Sequence, residues 1–199
     1  MHKIYILLIL VLMLGGCSST TPIIAKYKLY SNVNIAQEKQ STCKDKNIKV
    51  LSAFSSASLM SKDMRYVHGN SKVYKYSESA WLNNPNRCVS RELIKMLREL
   101  DIYKNVQESK SRSKADLIVE ITLDDFMQYY SSDLTSSYAV VQIHFAIIDT
   151  KNNTIVSSKT FKNTQNTKTL DAKGGVDALN NALKNVLVQS SKWFIKVCS

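Results

Sequence analysis

The chain has 199 residues, with 27 Lys or Arg against 16 Asp or Glu and a formal net charge of +11 at pH 7. This length is typical of one domain with its own core, and the positive charge would by itself favour an anionic partner such as nucleic acid. The basic residues are mostly Lys and are scattered along the chain, so we interpret them as a solvated surface. Attraction to anionic lipid headgroups or to an acidic partner is the alternative.

The first residues are typical of a secretory signal. A basic start, His2-Lys3, precedes eleven nearly unbroken apolar residues, Ile4 to Leu14. That run is shorter than the roughly 20 residues of a permanent membrane span and fits the apolar core of a cleaved signal. Leu14-Gly15-Gly16-Cys17 then resembles a bacterial lipobox. We therefore predict that Cys17 becomes the lipidated first residue.

Processing at the lipobox divides the chain into three parts. These are a signal peptide over 1–16, a lipidated tether over 17–25 and a single α+β periplasmic domain over 26–199. Three acyl chains exceed the two hydrophobic signals that stable membrane anchoring needs. Ser18 follows Cys17, which favours the outer membrane, facing the periplasm. This address argues against nucleic acid as a partner.

Three cysteines remain after processing: Cys43, Cys88 and Cys198. An envelope location permits disulfides, and an odd number leaves at least one thiol free if one pair forms. None of the three belongs to a CxxC pair, so the sequence gives little support to a redox or zinc site.

Four short strands are predicted in the first half of the domain. Alternation and β-branched residues indicate them at 26–30, 48–51, 64–67 and 73–76, the last two forming a hairpin around His68-Gly69-Asn70-Ser71. The Ser-rich segment 52–62 is predicted to be irregular.

A first helix is predicted over 85–100. Asn84 is a suitable N-cap, and Pro85 suits the first helical position, where its missing N–H costs nothing. Apolar residues then recur at helical spacing at Val89, Leu93, Met96, Leu97 and Leu100. A connector and a charged loop follow, up to residue 114.

The second half begins with the strongest strand pattern. Leu117, Val119, Ile121 and Leu123 line one face, whereas Glu120, Thr122 and Asp124 line the other. A Tyr-, Ser- and Thr-rich connection over 128–137, a strand over 138–149, a turn over 150–154 and a return strand over 155–161 are predicted next. A second amphipathic helix is predicted over 174–195.

This order predicts an α+β fold: a mixed, mostly antiparallel sheet with two amphipathic helices on one face. The other face would then be partly open. Glu120, Thr122, Gln142 and His144 would point from it toward solvent or a partner, as a candidate docking face.

Strand directions suggest a disulfide. We take the strands that contain Val73 and Asp116 to run in the same direction, so that both helices start at the top of the sheet and end at the bottom. Cys88 then lies at the top and Cys198 at the bottom. If the strand at Ile48 also runs upward, Cys43 lies near Cys198, and we predict a Cys43–Cys198 bridge.

The chain offers little for catalysis. Two S-x-x-K matches, at 41–44 and 111–114, lie in predicted loops and lack the partner motifs of penicillin-interacting enzymes. Asp124 and Asp125 are adjacent on a strand and should point to opposite faces. His68 and His144 have no neighbours that build a metal site, and Gly174-Gly175 lacks a phosphate-binding pattern. We predict no enzyme activity, no cofactor and no metal.

Several segments along the chain form a recognisable series. They are the lipobox, Tyr27-Lys28-Leu29, the strand at Ile48, Tyr76-Ser77-Glu78-Ser79-Ala80-Trp81, the helix with Leu93 and Leu97, the strands 115–121 and 138–143, and the final helix through Ala178, Ala182 and Trp193. Together they resemble the ABC-type transport auxiliary lipoproteins, the PqiC-like group.

The resemblance implies a non-enzymatic accessory or docking role. Such lipoproteins accompany ABC transporters and MCE-domain proteins that move lipids between the two membranes, so an MCE-domain protein or an ABC permease complex is the implied partner. Only Cys17, the acylation site, carries over as a functional residue. An envelope-assembly or peptidoglycan-synthase-activating lipoprotein and a surface-exposed host-contact lipoprotein are the alternatives.

Overall fold

The computed structural model describes residues 23–35, 41–69 and 71–199. The predicted signal peptide and the lipidation site, Cys17, lie outside the described residues. So does the tether as far as residue 22.

Among the described residues, nine strands and two helices form. The strands are β1 (Ala25–Tyr27), β2 (Asn47–Val50), β3 (Phe54–Ser55), β4 (Asp63–His68), β5 (Lys72–Trp81), β6 (Asn105–Glu108), β7 (Leu117–Tyr130), β8 (Ser137–Asp149) and β9 (Thr154–Asn166). The helices are α1 (Pro85–Leu100) and α2 (Ala172–Val197).

Strand β7 holds the sheet together. On one side it begins a long antiparallel meander, in which β7 pairs with β8 and β8 pairs with β9. On its other side β2, β3 and β4 pair with successive parts of β7, all in parallel. The sheet is widened further by β6, which pairs with β2, by β5, which pairs with β4, and by β1, which pairs with β5. The long ladders are antiparallel, so the predicted fold class is confirmed.

Both helices cover the same face of this sheet. Helix α1 packs on β2, β6 and β7, helix α2 packs on β7, β8 and β9, and the two helices touch each other. Their apolar residues share one core with the inward residues of the sheet; Leu93 and Leu97 of α1 and Leu183 and Leu187 of α2 are fully buried there. Removal of this apolar surface from water is the main stabilising term.

Strand β7 contains a bulge that changes which residues face the core. Leu123 pairs with Ile143 and Asp125 pairs with Gln142, so Asp124 is an extra residue. Before the bulge the odd-numbered residues are buried; after it Phe126, Gln128 and Tyr130 are. A simple alternation could not predict this change, because a bulge shifts the phase by one residue.

Several strands are longer than predicted, and two others were not predicted at all. Strand β7 continues to Tyr130, into the predicted connection, and β9 continues to Asn166. Strands β3 and β6 were predicted as irregular segments. Both are short, and they form because they pair with neighbouring strands rather than through strong local propensity.

The first predicted strand is also shorter than expected, because β1 ends at Tyr27. The chain after it is fixed by side chains instead. Glu92 of α1 is buried and accepts hydrogen bonds from the Ser31 backbone N–H (3.1 Å) and from the Ser31 hydroxyl (2.6 Å). The side-chain oxygen of Asn180 accepts the Tyr30 N–H at 3.1 Å. Buried Leu29 thus reaches the core without being in a strand.

Helix α1 begins at Pro85 as predicted, with Asn84 at the N-cap position. The Asn84 side chain makes no cap hydrogen bond, however. Its amide instead donates to the Met60 carbonyl and so ties the loop before β4 to the start of the helix.

The glycine pair at the start of α2 allows a close approach between helix and sheet. A Cβ atom at Gly175 would lie 1.9 Å from Oε1 of Gln128, which is buried on β7. Gln128 also accepts a hydrogen bond from the Tyr76 hydroxyl (2.9 Å) and donates to the Ser137 hydroxyl (3.0 Å). Gly175 is therefore needed for the packing of α2 on β7, whereas a Cβ at Gly174 would meet Thr169 in the preceding loop.

A disulfide joins Cys43 to Cys198, with a Cα–Cα distance of 5.3 Å, and Cys88 is a buried free thiol. This is the predicted pair, but one premise for it was wrong. Strand β5 is antiparallel to β4, which is parallel to β7, so the strands at Val73 and Asp116 run in opposite directions. The disulfide follows from the directions of β2 and β9 alone, since both run parallel to β7. Cys43 lies before β2, and Cys198 lies at the end of the helix that returns from β9, so both are at the same end of the sheet.

We expect the double variant Cys43→Ser, Cys198→Ser to be markedly less stable. The bridge spans 155 residues, and in the chain-entropy model a loop of this length contributes roughly 4–5 kcal/mol. Urea unfolding followed by circular dichroism would measure the loss, and Cys88→Ala serves as the control for removing a thiol. A double variant as stable as the wild type would contradict the expectation.

Candidate docking surface

The sheet has an outer face, opposite the helices, and the four predicted docking residues lie on it. Thr122 pairs with His144 across β7 and β8, and Glu120 and Gln142 lie on the same face along these strands. Glu120 is exposed, whereas the other three are half-buried. The structure thus brings the four residues into one row of polar groups.

The bulge adds two carboxylates to this row. Asp124 accepts a hydrogen bond from Gln142 Nε2 (3.3 Å), and Asp125 lies directly opposite Gln142. Both acidic side chains are therefore on the outer face. The expectation that adjacent strand residues point to opposite faces was wrong here, because the bulge interrupts the alternation.

Asp125 is the most perturbed charged group of the outer face. Burial raises the pKa of its carboxyl, and this effect is only partly opposed by a hydrogen bond from the Tyr129 hydroxyl (2.7 Å) and by the charge of Lys162. The backbone N–H groups of Phe126 and Met127 also oppose this effect. Because the pKa is still raised, partial burial of the charged carboxylate costs stability at pH 7.

The aromatic residues near the end of β7 divide between the two faces. Tyr129 and Tyr138 stack on the outer face with ring centroids 5.4 Å apart. Tyr130 is buried on the helix side, where its hydroxyl lies 2.8 Å from the Tyr76 hydroxyl. Only two of these aromatic residues therefore belong to the outer face.

The structure adds one residue that sequence reasoning missed. Phe54 of β3 pairs with Thr122 and is 70% exposed. Its neighbour Ser55 is buried, opposite Leu123 of the core, so Phe54 is on the outer face. An isolated Phe within a Ser-rich segment gives no periodic signal, so only the pairing of β3 with β7 reveals it.

The other candidate groups are held apart or engaged elsewhere. In the first S-x-x-K match, the Ser41 hydroxyl donates to the Ile102 carbonyl (2.9 Å) and Lys44 forms an ion pair with Asp101 (2.6 Å). His144 Nδ1 lies 2.8 Å from the Thr160 hydroxyl. Among the described residues, no three His, Cys, Asp or Glu side chains are grouped as metal ligands would be.

Neither of the two described helices is suited to span a membrane. Neither α1 nor α2 combines the length and the apolar character that crossing a bilayer requires.

We expect Asp125→Asn to stabilise the protein at pH 7, by no more than about 0.5 kcal/mol because the carboxylate is only partly buried. A folded-state pKa above the unfolded value means that stability falls as pH rises from about 4 through the folded pKa. The gain should therefore shrink as the pH approaches 4. Thermal unfolding across this range measures it, and exposed Asp124→Asn is the matched control. A gain that is equal at all pH values would contradict burial of the charge as its cause.

No protein-family model and no curated protein matches the chain. Solved structures do match it. A crystal structure of a Xanthomonas campestris protein, described as a member of the DUF330 family, has a TM-score of 0.75 with 12% sequence identity, covering 86% of this chain and 95% of that chain. The crystal structure of an uncharacterized protein has a TM-score of 0.63 with 10% identity, covering 85% of this chain and 99% of that chain.

A lipoprotein from Neisseria meningitidis, GNA1162, has a TM-score of 0.42 with 13% identity, covering 76% of this chain and 99% of that chain. At these identities the first two matches establish a shared fold and nothing about activity. The chain thus has the fold of the Xanthomonas campestris protein across nearly its whole described length.

Proposed function

We propose that the protein is a lipid-anchored protein of the bacterial cell envelope and a non-enzymatic docking component of an ABC-type, MCE-associated lipid transport system. The observation that carries the proposal is the lipobox, Leu14-Gly15-Gly16-Cys17, directly before an α+β domain. The PqiC-like resemblance of segments along the whole domain adds the kind of partner, an MCE-domain protein or an ABC permease complex. The outer membrane, facing the periplasm, is the proposed location.

The outer face of the sheet supports a docking role on physical grounds. Its exposed and half-buried groups are varied: carboxylates, an amide, an imidazole, stacked Tyr129 and Tyr138, and exposed Phe54. Aromatic residues amid hydrogen-bonding groups are common where proteins bind one another. Asp125 is kept there although its burial costs stability, and a costly group is frequently a functional one.

The anchor is tested by Cys17→Ala in the full-length chain. We expect the variant to lose metabolic labelling with palmitate completely and to resist the lipoprotein signal peptidase, because acylation and cleavage both require the cysteine at the lipobox position. Ser18→Ala is the matched control and should be labelled normally. Labelling of Cys17→Ala at the wild-type level would overturn the lipid anchor.

The docking role is tested by photo-crosslinking in intact cells. A photoreactive amino acid at Thr122 or His144 should crosslink to an MCE-domain protein or an ABC permease, identified by mass spectrometry. The same residue at Lys95, which is exposed on α1, should not, because α1 covers the opposite face. Crosslinks only to a penicillin-binding protein would replace the transport role with a role in peptidoglycan synthesis.

A further inference from the structure

A groove with a basic rim runs between the edge strand β9 and helix α2. It has a volume of about 430 Å³. Phe161 and Trp193 form its floor; both are buried, and their ring centroids are 5.9 Å apart. The indole N–H of Trp193 donates to the Ser157 hydroxyl at 3.2 Å, which fixes the floor between strand and helix.

Four lysines flank this floor, three on the helix side of the sheet and Lys162 on its outer face. Lys159 and Lys162 come from β9, whereas Lys192 and Lys196 lie one turn apart on α2. All four are exposed, and no acidic side chain lines the groove. Among the described residues, none of the four forms an ion pair. Positive charge is therefore concentrated at the groove, although Asp125 on the outer face partly offsets the charge of Lys162.

The strand beside the groove also has an unpaired edge. Strand β9 pairs with β8 alone among the described strands. The register shift near Ile147 leaves the stretch from Ser157 to Asn166 in regular pairing. Half of the backbone N–H and C=O groups of such an edge point outward and can pair with another strand. Ile23, where the described chain begins, lies beyond β1 at the opposite edge of the sheet.

We propose that β9 and this groove bind an acidic, extended peptide segment of a partner protein, which adds a strand to the sheet. A strand added next to β9 would lie about 4.8 Å away. Its side chains would alternate between the two faces. Those on the helix side would lie toward Lys192 and Lys196, and those on the outer face toward Lys162. Main-chain hydrogen bonds supply affinity, and the lysines select for acidic residues.

Charge complementarity favours this occupant over two others. A second copy of the chain, paired β9 to β9, would bring two identical lysine-bearing edges together, and edge lysines normally disfavour such self-pairing. An acyl chain of a lipid would find little apolar surface, because only 5% of Phe161 and 8% of Trp193 are exposed. An acidic strand uses both the edge and the charge.

The inference rests on the proposed docking role only for the origin of the peptide. The test of peptide binding needs no transport partner. A negative binding result would therefore not affect the crosslinking result, and a negative crosslinking result would not affect the binding result. The probe is a fluorescent decapeptide of alternating Glu and Thr, titrated with the purified full-length protein in a neutral detergent. Fluorescence anisotropy measures binding, which should weaken as ionic strength rises.

Two variants test the lysines. Lys192→Glu, Lys196→Glu should weaken binding by about tenfold or more, which corresponds to roughly 1.4 kcal/mol. The control, Lys110→Glu, Lys114→Glu, makes the same charge change at exposed positions of the loop before β7 and should retain the affinity within about twofold, because charges more than about 10 Å away are screened. Equal losses in both variants would mean that only net charge matters and would overturn the site.

Two N-methylated probes test strand addition. In an extended peptide, alternate backbone N–H groups point to opposite edges. One probe is methylated on the nitrogens of one edge and the second probe on those of the other, so only one of them loses the N–H groups that face β9. We expect one to lose binding and the other to keep it. Equal binding of both would overturn strand pairing.

Two further results would assign the groove to another occupant. Binding of monomeric dihexanoyl-phosphatidylglycerol, with no binding of the peptide, would identify an anionic lipid site instead. A concentration-dependent oligomer that the peptide dissociates would assign the edge to a second copy of the chain.

Discussion

The pairing of β7 on both of its edges is the constraint on which the rest of the structure depends. One edge is paired along its whole length with β8, and the other with β2, β3 and β4 in turn. Every other strand joins the sheet through one of these four neighbours. Short strands such as β3, with two residues, persist because β7 supplies a ready-made edge, which an isolated strand of that length lacks.

The bulge in β7 links packing to the proposed function. Because Asp124 is an extra residue, the strand can bury Leu123 and Phe126 on the same face although they are three positions apart. The same shift puts two consecutive carboxylates on the outer face, where Gln142 and Tyr129 contact them. One local irregularity thus completes the core and places two carboxylates at the centre of the outer face, the proposed docking surface.

Helix α2 does more than cover the sheet. Its first turn approaches β7 closely at Gly175, its middle fills the core, and its end carries Cys198, which is bonded to Cys43 before β2. The helix is thereby fixed at both ends. The backbone positions of its outward lysines, 192 and 196, are thereby fixed beside the edge strand β9.

The sequence by itself determined the fold class, both helices, the central hairpin and the face on which Glu120 and Thr122 lie, because apolar periodicity reports which side of an element is buried. It also supplied the resemblance of Leu14-Gly15-Gly16-Cys17 to a lipobox, which is a local signal. The tertiary structure alone decided the directions of β5 and β7, the bulge at Asp124, the role of Gly175 and the place of Phe54. These depend on contacts between residues far apart in the chain, and no local pattern encodes such contacts.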